Sequence, residues 1–396
     1  MVNTSKDSTA TVRVVCAIVF VIFVITYVFS FQGDLLTMIQ NVWADGQTHY
    51  HRGVGVAIIT LILSLVAFIV SLLVHLPQRT FSLIFFPSFL FLGLLTAVHV
   101  DGNSVETSLG WLIATPLLLV LYVFVIKQIN NYQPFLLPLR STSYLSHPWW
   151  TNILLLVCMM SLTYMMGNTD RTLHTRLKVE RLCKEKQWDK ALMVGFPQYD
   201  NDSSLTMLRA LALANKGEMG DKLFNYEITG GSSSLTPRPD CSATFMLGSD
   251  VSVWKTIGVV PRDKSVSIYT FLKKEMRRGT LNPVAKDYLL CAYLMDYRLK
   301  DFAKALPKYY HINDSLPVHY AEAYVMYCEK YNVADTLIGQ TIKADYADFL
   351  TTMRSEKDHV LRNAAIRSAY FGTYWYYYHS KVFRSGQPVG RAGKRQ

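Results

Sequence analysis

HPWWTNILLLVCMMSLTYMMGNTD, His147 to Asp170, carries no charge from Trp149 to Gly167 and leads into a strongly charged chain. Pro148 and the Trp149-Trp150 pair suit the first turn of a helix at the headgroup level. With both tryptophans counted, the run approaches the roughly 20 residues that cross a ~30 Å hydrocarbon core. It reads as the last membrane span, dividing the chain into a transmembrane part, 1–170, and a soluble part, 171–396.

Upstream lie further apolar runs of spanning length near 14–31, 54–76, 81–100 and 109–126, so with 149–167 the pattern predicts five spans. The first run is longer than the ~7 to 15 residues of a signal-peptide core and has no small-x-small site after it, which predicts a retained anchor. Pro87 and Pro116 fall inside spans, where kinks are expected. No G-x-x-x-G face marks a dimer seam.

Up to Asp170 basic and acidic residues balance, so the whole net charge of +11 belongs to the second part. With the N-terminus inside, Lys6, Arg13, Arg79, Lys127 and Arg140 are cytoplasmic and only Arg52 is in an outer loop. This asymmetry predicts N-in topology, and five spans then place 171–396 outside. The basic run Arg171, Arg176, Lys178 and Arg181 argues the other way, but long translocated domains largely escape the charge rule.

The same topology gathers acids and imidazoles in the outer loop QGDLLTMIQNVWADGQTHYHR, 32–52. Asp34, Asp45, His49 and His51 there form a candidate acid-base or divalent-ion set toward a lipid-linked substrate. The competing expectation is an ordinary solvated loop turning at Asp45-Gly46.

After Asp170 the period is helical. A helix is expected over 204–216, capped by Ser203 and stopped by Gly217, and another after Asn282-Pro283. Lys186 to Leu192 and Lys300 to Leu306 match as K-x-aromatic-x-K-A-L. Trp188, Ala191, Phe302 and Ala305 are then repeat-packing residues of helical hairpins resembling tetratricopeptide repeats (TPRs). The copies are not a multiple of the usual period apart, and an irregular insertion near 228–265, opening with GGSSSLTPRP, accounts for the interruption.

Near the end, YFGTYWYYYH, Tyr370 to His379, predicts aromatic residues that complete the helical core, stack on sugars or sit at a membrane interface, the core being the default. Tyr374, Trp375 and Tyr377 are the partner-binding candidates. A basic disordered tail is expected over 380–396. Cys16 and Cys158 lie in spans; Cys183, Cys241, Cys291 and Cys328 show no metal-ligand spacing and read as small buried hydrophobes, with a disulfide left open for an oxidising compartment. Asp200-Asn201-Asp202 is a D-x-D that reads as turn and cap chemistry before a helix.

LALANKGEMGDKLF, 211–224, and FGTYWYYY, 371–378, resemble an uncharacterised family of bacterial membrane proteins, a domain of unknown function with N-terminal spans and a TPR-like C-terminal region. The resemblance implies that architecture and a bacterial envelope location. It carries over no catalytic residue, and this chain has fewer spans and a shorter repeat region than the family pattern.

Phosphate-loop, dinucleotide, zinc-protease and serine-hydrolase motifs are all absent. The fold class expected is all-α: about five transmembrane helices followed by a soluble TPR-like repeat domain. The function expected is an interaction or assembly scaffold of the bacterial inner membrane with a periplasmic C-terminal domain. The alternative is a membrane enzyme of envelope glycan or lipid-linked sugar metabolism, akin to polytopic glycosyltransferases, using the outer-loop acids. Expected partners are the bilayer and a protein or peptide, with anionic lipid or an envelope polysaccharide as further candidates. Nucleic acid is not expected, since it requires a cytoplasmic domain, and neither a metal nor a cofactor is implied.

Overall fold

The computed structural model describes residues 3–48, 50–101, 104–132, 147–196, 201–237, 244–248, 251–262, 266–313, 315–333, 339–355 and 359–384. The chain forms two compact units, Met1–Leu177 and Lys178–Gln396, each taken here by itself. The division falls within a helix, seven residues beyond Asp170. Helices dominate both units, and the two strands of the first are the only ones among the described residues.

The membrane unit runs α1 (Asn3–Thr26), a π-helical turn (Tyr27–Phe31), α2 (Gly33–Trp43), α3 (Arg52–Leu73), a 3-10 segment (Gln78–Phe85) and α4 (Phe86–Thr96). It continues with β1 (Val98–Asp101), β2 (Ser104–Thr107), α5 (Leu109–Tyr132), α6 (His147–Met166) and the start of α7 (Arg171–Lys184). Among the described residues five stretches are long and apolar enough to cross a membrane: Thr11–Phe31, Arg52–Leu73, Gln78–Thr96, Leu109–Tyr132 and Trp149–Met166. A helix satisfies its backbone within itself, which is what allows such stretches to exist in lipid.

The third stretch is the axis of the bundle: 56 % of it is buried, against 17 % of the second and fourth. It ends earlier than the expected 81–100, because Val98 pairs with Thr107 and Val100 with Val105 in an antiparallel hairpin. Pro87 stands in the first turn of α4, where its missing N–H costs no helical bond, so it starts a helix instead of kinking one. Pro116 does lie inside α5.

Polar side chains stitch α6 along this third stretch. Asn152 donates to the Gln78 carbonyl at 2.8 Å and accepts from the Ser82 amide at 2.8 Å, and Thr151 donates to the Arg79 carbonyl. These bonds occupy backbone groups that the 3-10 segment leaves free where water is scarce. Further along, Thr163 donates to the Phe89 carbonyl and Asn168 to that of Val98. Gln32, just after the π turn, joins the same knot by donating to the Asn168 carbonyl and to the Tyr27 hydroxyl, which bonds Thr96.

The helical unit continues α7 through α8 (Trp188–Met193), α9 (Ser203–Lys216), α10 (Met219–Lys222), α11 (Val253–Ile257) and α12 (Ile268–Arg278). It ends with α13 (Ala285–Met295), α14 (Leu299–Ala305), α15 (Val318–Tyr331), α16 (Gln340–Ser355), α17 (His359–Tyr370) and α18 (Tyr374–Arg384). Every residue of α9 from Ser204 to Ala214 is buried, so this helix is enclosed on all sides, with Arg209 among its apolar residues, and forms the heart of the core. Its cap is Asp202, whose carboxylate accepts from the Leu205 amide, and not Ser203.

Four helices end in the same way. Lys186, Gly217, Tyr297 and Asn332 all have left-handed backbone, with φ of 57°, 72°, 60° and 53°. After each, the next amide bonds the carbonyl five residues back: Gln187 to Leu182, Glu218 to Leu213, Arg298 to Tyr293 and Val333 to Cys328. This is the Schellman stop, and it satisfies carbonyls that a helix end leaves open.

Those stops correct the register of the sequence match. Lys186 corresponds to Tyr297, so Trp188 corresponds to Leu299 and Ala191 to Phe302, three residues away from the K-x-aromatic-x-K-A-L pairing. Residues three apart share a helix face, so an apolar pattern repeats well when shifted by three. All four residues still pack: Ala191 and Phe302 are fully buried, while Trp188 and Ala305 are half-buried against the core.

Side chains outside the insertion hold it at several points, among them Asn282, which donates to the Lys255 and Thr256 carbonyls. Buried Glu180 of α7 accepts the amides of Phe245, Met246 and Leu247 at 2.6, 2.6 and 3.1 Å, and Ser232 bonds Asp296 with its amide and its hydroxyl. Within it are a 3-10 turn, Gly231–Leu235, and α11. Residues 380–384, expected in a disordered tail, are instead the end of α18; 385–396 lie outside the described residues. Cys183, Cys291 and Cys328 are buried free thiols, and Cys241 lies outside the described residues.

Candidate ligand cavity in the helical unit

A cavity of about 640 Å³ opens within the helical unit, in the range of small-ligand sites. Four segments contribute to its lining. Helix α17 supplies Asn363 and Arg367, one turn apart on the same face, and α18 supplies Tyr376, Tyr377 and Ser380. Asp296 and Tyr297 of the α13–α14 turn, with Tyr226 and Glu227 from the chain after α10, complete the polar and aromatic lining.

The aromatic wall is fixed by its bonds. Tyr297 stacks on Tyr377 with centroids 5.3 Å apart and planes 7° from parallel. The hydroxyl of Tyr377 donates to the Met295 carbonyl at 2.7 Å and that of Tyr374 to the Leu294 carbonyl at 3.1 Å, so two tyrosines of α18 satisfy the open C-terminal end of α13. Buried Glu322 anchors α18 from below, accepting the Tyr374 amide at 2.6 Å and bonding His319 at 3.0 Å.

Tyr226 is held from behind. The fully buried guanidinium of Arg209 lies 4.7 Å from its ring centroid, and none of the three guanidinium nitrogens has a hydrogen-bond partner. Burial pushes this group down to about 10, which leaves it charged near neutrality. The ring face is the partner that compensates it.

The carboxylate of Asp296 is spent on structure. It takes both Ser232 bonds and a short one from Tyr269, whose own phenol is raised by burial and by that carboxylate. The buried Oδ1 of Asn363, by contrast, has no partner and sits at the polar wall.

Of the partner-binding candidates, only Tyr377 reaches the cavity. Tyr374 and Trp375 are 0 % and 3 % exposed and belong to the core, so no partner meets them without unfolding the unit. Sequence reasoning missed Tyr297, Tyr226 and Asn363. The available signal was an aromatic residue at a helix stop, where Gly217 and Asn332 stand in sister hairpins.

The acids and histidines of 32–52 are not brought together among the described residues. Asp34 pairs closely with Arg52, Asp45 is exposed at a turn with φ 46°, His51 is exposed before α3, and His49 lies outside the described residues. No cluster of three His, Cys, Asp or Glu suited to a metal occurs among the described residues.

Comparison with protein families finds a match to a family of unknown function, DUF6057, over residues 99–258 and 263–381. The chain belongs to this family. The DUF6057 region takes in the last two apolar spans, most of the helical unit and every cavity-lining residue named above. No curated protein and no solved structure matches the chain.

Proposed function

We propose that the protein is a membrane-anchored recognition protein of the bacterial envelope, with a TPR-like helical unit that binds its ligand in the α17–α18 cavity. Five spans hold it in the inner membrane with the N-terminus cytoplasmic and the helical unit periplasmic. The Lys and Arg asymmetry of the short loops supports that orientation. The repeat reading rests on the helix stops: Lys186 and Gly217 are 31 residues apart and Tyr297 and Asn332 are 35, near the 34 of a TPR.

One observation carries the recognition role. A tyrosine held at φ 60° is a costly choice of about 1 kcal/mol or more at a position that glycine, asparagine and lysine fill in sister hairpins, and it is the one stop of these four that carries an aromatic ring. What the site gains is a ring stacked on Tyr377 at the cavity wall. The outer-loop acids offer no comparable arrangement, because Asp34 is tied to Arg52.

The test is a photo-crosslinking amino acid at Tyr376 in the cavity and, separately, at exposed Leu361 on α17, with the full chain in its native membrane. A discrete adduct from position 376 and none from 361 is expected. No adduct at 376, or the same adducts from both positions, refutes recognition at this cavity.

A further inference from the structure

We infer that the ligand of this cavity is a neutral saccharide, an inference that rests on the recognition role proposed above. A pyranose ring has an apolar C–H face and a rim of hydroxyls that donate and accept. The cavity lining offers both kinds of group: the rings of Tyr297, Tyr376 and Tyr377, with Tyr297 stacked on Tyr377, and the polar side chains of Asn363, Arg367 and Ser380.

Charge narrows the class. Among the described lining residues Arg367 is the only cationic side chain, and Glu227 and Asp296 are also there. A polyphosphate or nucleic-acid site needs an excess of cations, which the described lining does not show. Asp296 already accepts three bonds, so its carboxylate is engaged within the fold. The buried, partnerless Oδ1 of Asn363 calls for a neutral donor, and a sugar hydroxyl is one.

Rigidity points the same way. Tyr297 is fixed by a left-handed backbone and a stacked ring, and Tyr377 by its bond to the Met295 carbonyl. Weakly binding ligands such as sugars gain most from walls that need no ordering on binding. An extended peptide instead needs rows of backbone-directed amides, and the lining offers a single asparagine.

The experiment uses the full chain in lipid nanodiscs, free of sugar-headed detergent, on an array of neutral and acidic di- to hexasaccharides. Three proteins are compared: wild type, Tyr297→Asn and Asn363→Ala. Asparagine suits the left-handed backbone, as Asn332 shows, so Tyr297→Asn removes the ring while the melting temperature stays within about 3 °C of wild type. Wild type is expected to retain a neutral subset, with retention falling at least tenfold in both variants. Retention of nothing by wild type, or equal retention by all three proteins, overturns the saccharide assignment. A protease-sensitive adduct at position 376 with a silent array discards the saccharide and keeps recognition. A silent array with no adduct discards both.

Discussion

In the membrane unit the second and fourth spans bury only 17 % of their length, whereas α9 of the helical unit is buried along eleven consecutive residues. Apolar side chains cannot select neighbours when the solvent is itself apolar, so in lipid the selection passes to polar groups. Asn152, Thr163, Asn168 and Gln32 hold α6, the third span and the end of the first in register. In water the apolar core supplies the driving force, and buried carboxylates place the irregular segments. Glu180 holds 245–247, Glu322 starts α18 and Asp296 grips Ser232.

The largest effect is expected at Glu180. Replacing it with leucine leaves three amides without an acceptor and lowers stability by about 3–5 kcal/mol, with faster proteolysis near 244–248. Glu180→Gln, which keeps an acceptor oxygen, loses less. Equal loss in both variants, read by thermal unfolding, contradicts a role through those amides.

Next comes acid sensitivity of the helical unit. Burial, aided by Lys330, lowers the half-buried His379 from 6.5 to about 4. The unfolded chain therefore takes up this proton first. The stabilising contribution is full above pH 6.5 and is lost as pH falls toward 4, a decline of about 2 kcal/mol. His379→Gln should flatten that part of the pH profile; an unchanged slope between pH 6.5 and 4 contradicts it.

In lipid the matching deletion should cost less. Asn152→Leu removes two hydrogen bonds to the 3-10 segment and is expected to lower resistance to SDS unfolding by about 1–2 kcal/mol. A cost equal to that of Glu180→Leu would break the contrast between the units. The smallest effect belongs to Asp45→Gly. The position is exposed with φ 46°, so glycine should hold stability to within about 0.5 kcal/mol. A large loss of host function from this change, with the fold intact, would revive the outer-loop acids.

The spans were legible because charge-free runs leave a bilayer few alternatives. The β1–β2 hairpin was not, since Val98 and Val100 look as apolar as the span before them and only their pairing to 105 and 107 distinguishes them. In the helical unit, helices and the Gly217 stop were legible from period and glycine. The register of the hairpins was not, because the stops at Lys186 and Tyr297 use residues with no turn preference. The aromatic run was legible as a helix, but its division into core Tyr374 and cavity-lining Tyr377 depends on which side of α18 meets α13. The cavity gathers residues from positions 226 to 380, a separation that no local pattern bridges.

The recognition role requires the helical unit to stand outside the cytoplasm, and thiol labelling of intact cells tests this directly. The probe sites are Lys274→Cys, exposed on α12, and Lys127→Cys, exposed near the end of the fourth span, each with Cys241 replaced by serine. Labelling of position 274 by a membrane-impermeant maleimide, with 127 protected until the cells are opened, is the predicted result. Protection of 274 together with labelling of 127 would place the helical unit in the cytoplasm and contradict an envelope recognition protein.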